Sequence, residues 1–209
     1  MILVGKAGSG KDTFASMFPY LKRFAFADEL KKVVRIAQID GAAVAQDYLV
    51  ARTGILDSYM YPILKFASTH NTTGKQRKVL QVVGQGLRDI EPDIWVNLLV
   101  DNLKRAKNPP HIITDCRYMN EFNAFRDEFS VFLYASRKVR IKRMVARDGK
   151  VDYKTLSHPS EKYVDLLGKQ CLFHINNSKL TLTELRRKAS IVSEKRDQFI
   201  RQYAESIGL

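Results

Sequence analysis

Near its start the chain runs from three apolar residues, Ile2-Leu3-Val4, straight into Gly5-Lys6-Ala7-Gly8-Ser9-Gly10-Lys11-Asp12-Thr13. This almost completes the phosphate-binding pattern G-x-x-x-x-G-K-[ST]. No other stretch constrains the fold as much, because such a loop belongs between a buried strand and the start of a helix. Gly5, Gly8 and Gly10 allow backbone angles that a side chain would forbid. The loop N–H groups can then converge on phosphate oxygens, helped by the helix expected over residues 12–18. Gly8, Ser9, Gly10 and Lys11 are expected at the phosphates of ATP, with Lys11 reaching the β- and γ-phosphates.

The last letter of the pattern departs. Asp12 stands where a hydroxyl is wanted, and Thr13 follows one place later. An acid in the first turn suits the helix dipole. Beside a triphosphate it repels unless a cation intervenes. Mg²⁺ is therefore expected near Asp12, held directly or through water, with Thr13 offering its hydroxyl to a phosphate or to the metal shell.

Short apolar runs recur at 23–26, 112–114, 131–134 and 172–175, as buried parallel strands should. Helical patterns separate them, the clearest running from Pro92 to Lys104 with Ile94, Trp95, Leu98, Leu99 and Leu103 on one face. Alternating strand and helix means an α/β fold with a parallel sheet covered on both faces. Residues 30–87 hold no convincing strand and read as a helical insertion. The 209 residues suit one domain with a full core. Cys116 and Cys171 read as reduced core thiols rather than a disulfide or metal site. The start is too short and uncharged for a signal peptide, and no apolar run approaches the ~20 residues of a membrane span.

The strand at 112–114 ends in Asp115, and Arg117 follows two places on. A carboxylate at the C-terminal end of a parallel strand faces the ligand crevice, so Asp115 is a candidate for the metal shell, with a plain strand-end turn as the alternative. The planar fork of Arg117 suits a phosphate.

Net charge is +13, which points to anionic partners. Much of it gathers in Ser136-Arg137-Lys138-Val139-Arg140-Ile141-Lys142-Arg143-Met144-Val145-Ala146-Arg147. At 100° per residue Arg137, Arg140, Arg143 and Arg147 fall within one arc, beside an apolar face of Ile141, Met144 and Val145. ATP phosphates, a nucleic-acid backbone or solvent alone each account for such a face. No Ser-His-Asp or Cys-His arrangement is evident.

GKAGSGKDT, FADELK, RKVLQVVGQGLR, DIW, ITDCRYMNE and HPSE follow one another in this order. Together they resemble deoxynucleoside monophosphate kinases of the bacteriophage type, over about residues 1–177. The resemblance makes the lysine–aspartate–threonine ending an expected one. It implies a three-layer α/β/α P-loop fold with a five-stranded parallel sheet, a helical NMP-binding insertion and an arginine-rich lid. The core would then take about 1–29, 88–136 and 168–209, the insertion 30–87 and the lid 137–167. It implies phosphoryl transfer from Mg-ATP to a deoxynucleoside 5'-monophosphate in the (host) cytoplasm. Lys11, Arg117, Arg140, Arg143 and Arg147 would be catalytic, and Arg137 and Asn176 would join the ATP site. Asp28, Lys31, Arg77, Gln81, Arg88, Trp95, Arg117 and Glu161 would hold the acceptor. Asp12, Thr13 and Asp115 would serve Mg²⁺.

Bland readings stand beside these. Asp28 suits an N-cap, Arg77 a solvated surface, Trp95 a core, Glu161 a helix cap, and Asn176-Asn177 a turn. One departure from the family is Gly84-Gln85-Gly86, where a threonine and an acidic residue are expected. Competing functions keep the fold but change the acceptor, to a phosphomevalonate-like metabolite or a polynucleotide end. Another makes the chain a nucleotide-gated nucleic-acid-binding protein. The absence of aromatics from 137–147 speaks against stable nucleic-acid binding. The basic C-terminal helix expected over 182–207 either packs back on the sheet or forms a contact surface, as a homodimer would need.

Overall fold

The computed structural model describes residues 1–70, 76–149 and 159–208. In chain order the elements are β1 (Ile2–Val4), α1 (Lys11–Ala15), β2 (Lys22–Phe24), α2 (Phe26–Ile39), α3 (Ala42–Thr53), α4 (Met60–Thr69), α5 (Arg77–Ile90), α6 (Ile94–Arg105), β3 (His111–Cys116), α7 (Met119–Asn123), β4 (Ser130–Tyr134), α8 (Arg137–Asp148), α9 (Pro159–Gln170), β5 (Phe173–Asn176) and α10 (Leu182–Ser206). They form two compact units, Met1–Phe24 with Pro110–Leu209, and Ala25–Pro109.

The first unit is built on a five-stranded, all-parallel sheet of order β2-β3-β1-β4-β5. Side chains alternate across it. Leu3, Ile112, Val131, Leu133 and Ile175 meet Phe14 and Phe18 of the α1 region and Leu185, Ala189 and Val192 of α10. The C-terminal helix therefore packs back on the sheet, through Leu185, Ala189 and Val192 and, further along, Phe199 against Phe129. On the other face α9 lies against β1 and β4, close enough that a Cβ on Gly168 would come within 2.8 Å of the Phe132 ring. Helices cover both faces, and the central strands β1 and β4 are apolar almost throughout, while the edge strand β2 carries exposed Lys22 and Arg23.

The second unit is helical. α2 touches α3, α4, α5 and α6, and the buried side chains Val33, Val34, Leu49, Leu64, Val83, Leu87 and Leu98 belong to these helices. A polar seam joins three of them. Buried Glu29 accepts from Tyr48 Oη at 2.6 Å and Asn102 Nδ2 at 2.8 Å, while Arg52 reaches Asp101, Tyr48 and Asn102. The expected insertion, 30–87, falls inside this unit, which also includes α6.

Boundaries shift locally for identifiable reasons. Phe26, expected in a strand, opens α2, because Ala25 is already extended as its N-cap and Phe26 is buried. α1 stops at Ala15, well short of residue 18, with Pro19 close ahead. Pro159 occupies the first position of α9, as its chemistry favours. The segment expected as a lid comprises α8 and the start of α9; His158 of its HPSE motif lies outside the described residues. No helix of the described residues is long and apolar enough to cross a membrane.

Candidate functional site

β1 is the central strand, so the loop at its C-terminal end opens at the middle of the sheet edge. Gly8 and Gly10 have φ of +78° and +100°. Their neighbours also exclude a side chain: a Cβ on Gly8 would lie 2.8 Å from the Arg140 carbonyl oxygen, and one on Gly10 2.6 Å from Asn177 Nδ2. Lys11 folds back across the loop, donating to the carbonyls of Gly5 and, at 3.2 Å, of Lys6. Among the described residues the Gly8, Gly10 and Lys11 N–H groups donate to no protein acceptor. They remain available to an anion.

Lys11 is only 8% exposed. Burial, and secondarily the Arg117 charge, lowers its pKa from 10.5 to about 8, against the opposing fields of Glu161, Asp12 and Asp115. An ammonium held at this cost beside amides that lack acceptors is primed for a polyanion.

The four arginines of α8 divide. Arg140 is buried, donates from Nη1 to Ala7 O at 3.2 Å, and lies 3.7 Å from Glu161. Arg143 donates to Ser9 O at 3.2 Å and Asn177 O at 2.8 Å. Both therefore converge on the glycine-rich loop. Arg147, one turn further along, makes two 2.9 Å bonds to Asp148, although the Asp12 charge reaches it. Arg137 is exposed at the start of α8.

Glu161 is 3% exposed and ties three elements together. It accepts the Ala7 N–H at 3.2 Å and Arg117 Nη1 at 2.8 Å, besides its pairing with Arg140. Its carboxylate is thus a partner of two arginines, Arg117 and Arg140. Glu121 instead caps, receiving the Arg117 and Tyr118 N–H groups at 2.8 and 3.2 Å.

Asp12 and Thr13 are exposed on the first turn of α1, and Asp115 is half-buried near the end of β3. Among the described residues no three His, Cys, Asp or Glu gather into a ready-made metal cage. Magnesium needs none, since it binds through one or two carboxylates together with water and substrate phosphates. Both carboxylates act on the Lys11 ammonium, and Ser9 Oγ, Thr114 Oγ1, Arg140 Nε and Asn177 Oδ1 are buried without a hydrogen-bond partner among the described residues. This donor set fits a magnesium–polyphosphate.

The residues assigned to the acceptor by resemblance lie in the helical unit, apart from Arg117 and Glu161. Asp28 is the third residue of α2, not its N-cap, and pairs with Lys31 at 3.3 Å. Arg77 begins α5, with Gln81 one turn on and exposed. Arg88 donates to Gly84 O at 3.2 Å. Trp95 is 2% exposed and its indole N–H donates to the same carbonyl at 3.1 Å, so the packing role is the one displayed. Gly84 itself leaves room for Leu30, whose Cδ2 would lie 2.9 Å from an added Cβ.

Asn176 and Asn177 share two readings, a border of the ATP site and a turn, and the structure gives the two side chains different contacts. Asn176 Oδ1 accepts the Ser178 N–H at 3.1 Å, a local turn bond. Asn177 is buried and donates from Nδ2 to Ser9 O at 2.9 Å. A polar residue just past the end of a buried parallel strand was the available signal.

No family model matches the chain. No curated protein matches it either. Among solved structures, TT1252 from Thermus thermophilus is similar at 18% identity and a TM-score of 0.51, over 92% of this chain and 95% of that one. Dephospho-CoA kinase from Campylobacter jejuni aligns at 15% identity and a TM-score of 0.49, over 94% and 96%. At these identities the likeness is one of fold, and at 0.49 the second supports no argument.

Proposed function

We propose that this chain transfers the γ-phosphoryl group of Mg-ATP to a deoxynucleoside 5'-monophosphate, giving the diphosphate and ADP. The supporting observation is Lys11, buried at a lowered pKa across a glycine loop whose Gly8, Gly10 and Lys11 amides have no protein acceptor. An oxygen of the acceptor phosphate attacks the γ-phosphorus, and the bond to the β-bridging oxygen breaks with ADP leaving. The acceptor's second pKa is ~6, so it arrives as a dianion and needs no general base. The protein's task is alignment and neutralisation of charge spread over the equatorial oxygens.

Lys11 holds the β- and γ-phosphates in this reading. Arg117 and Arg140, oriented by Glu161, and Arg147 neutralise the group in transfer. Asp12, Thr13 and Asp115 would hold magnesium, directly or through water, and it would supply Lewis-acid polarisation of the phosphates. Asp28, Lys31, Arg77, Gln81 and Arg88 are the proposed acceptor residues of the helical unit. The test is a coupled ADP-release assay with Mg-ATP against dAMP, dGMP, dCMP, dTMP and the ribonucleotides. Turnover with at least one deoxynucleotide supports the proposal, and none with any of them ends it.

A further inference from the structure

Arg143 reads from the sequence as one of four guanidiniums gathered by phosphate. Its surroundings assign it other work. Both terminal nitrogens are committed to backbone carbonyls, Nη1 to Ser9 and Nη2 to Asn177. The Ser9 carbonyl takes a second donor, Asn177 Nδ2, at 2.9 Å. Asn177 is 2% exposed, and its own N–H is held by Tyr134 O at 2.7 Å, at the end of β4. Two residues from different elements, bonded to each other, thus grip one carbonyl.

A trans peptide is planar, with its C=O and N–H pointing in opposite directions. Fixing the Ser9 oxygen therefore fixes the Gly10 N–H. Without such a hold the peptide could rotate, because the next residue is a glycine at φ +100°. The space a Gly10 side chain would take is filled by the Asn177 amide, at 2.6 Å from an ideal Cβ. We propose that Arg143 and Asn177 form a clamp that holds the Ser9–Gly10 peptide in the orientation presenting the Gly10 N–H to a polyphosphate. Both are positioning residues, and neither is a phosphate ligand. The consequence for catalysis rests on the phosphoryl-transfer reading; the geometry of the clamp does not.

The experiment compares wild type with Arg143→Ala, Arg143→Lys, Asn177→Ala, Asn177→Asp and the double alanine variant. Two quantities are read: the ¹H–¹⁵N resonance of the Gly10 amide in nucleotide-free protein, and the affinity for Mg-ATP by calorimetry. Each alanine variant should move the Gly10 resonance and weaken ATP about tenfold, as loss of one hydrogen bond to a carbonyl predicts. The double variant should lose less than the product of the singles, because both act on one carbonyl. Asn177→Asp keeps the shape but sets a carboxylate oxygen against the Ser9 oxygen, so it should lose at least as much as alanine. Arg143→Lys keeps the charge without the fork and should also move the resonance.

A Gly10 resonance unmoved by Arg143→Ala overturns the clamp, as does full wild-type behaviour in Arg143→Lys or strictly multiplicative losses. If wild-type protein binds no ATP, the phosphoryl-transfer reading fails. The Gly10 resonance alone then decides the clamp.

Discussion

The Glu161 carboxylate receives the Arg117 guanidinium at 2.8 Å, and Glu161 is almost wholly withdrawn from solvent while Arg117 is about one-third exposed. The same carboxylate accepts the Ala7 N–H and faces Arg140. It thereby links the glycine loop to Arg117 and Arg140, from a helix that begins eleven positions beyond the end of α8. Such an acid is worth more for placement than for stability, since burying an ion pair costs desolvation.

Glu161→Gln tests this. The amide oxygen still accepts from Ala7, but the charge facing two arginines is gone. kcat/KM for the phosphoryl transfer should fall about 10- to 100-fold, with a stability loss of about 1–3 kcal/mol in urea denaturation. Glu161→Ala should be worse on both measures. Equal behaviour of the two variants would show that the charge, not the hydrogen bond, carries the effect.

Lys11 sets a pH dependence. Its folded pKa, about 8, lies below the ordinary 10.5, so between these values the folded chain holds fewer protons than the unfolded one. The group's destabilising effect is full below pH 8 and is withdrawn as pH rises from 8 to 10.5. A bound polyphosphate favours the ammonium, so ATP binding near pH 8 should take up a fraction of a proton. Calorimetry in buffers of different ionisation enthalpy reads that uptake directly, and ATP affinity should decline above pH 8.

Asp12→Asn and Asp115→Asn should each raise the magnesium concentration needed for half-maximal activity, by about tenfold, while metal-free ATP binds no more weakly. Removing an acid beside the phosphates relieves repulsion when no cation is present. Magnesium titrations at fixed ATP check the first effect, and calorimetry in EDTA the second. Unchanged titrations for both variants would remove the carboxylates from the metal shell.

Gly168→Ala addresses packing rather than chemistry. Three atoms of the Phe132 ring would lie 2.8 Å from the added methyl group, and a ring yields less readily than a flexible chain end. Overpacking of this kind costs about 1–3 kcal/mol, which outweighs the ~1 kcal/mol that alanine gains over glycine in a helix. Chemical denaturation should report a net loss.

Much of the fold is legible in the sequence. The strand–loop–lysine order at the start, the apolar strands, the arginine-bearing helix at 137–148 and proline at the head of α9 all follow from local pattern. Four arginines on one helical arc were legible too; what each one touches was not. Arg140 and Arg143 reach the loop carbonyls, while Arg147 lies a turn further on, beside Asp148, and pairs there. An arc describes a helix surface, and only the neighbouring loop decides which turns of it are in range.

By itself the sequence determined the parallel α/β layout, the glycine-rich loop and the cationic character of its surroundings, because periodicity and backbone freedom are properties of short stretches. Only the tertiary structure decided that Asn177 rather than Asn176 meets the loop, that Trp95 lies in the helical core, and that Glu161 gathers Arg117 and Arg140. Asn177 bonds Ser9 at a separation of 168 places and Glu161 bonds Arg117 at 44, and partners at such separations are chosen by how the strands and helices close around the loop, which no local pattern encodes.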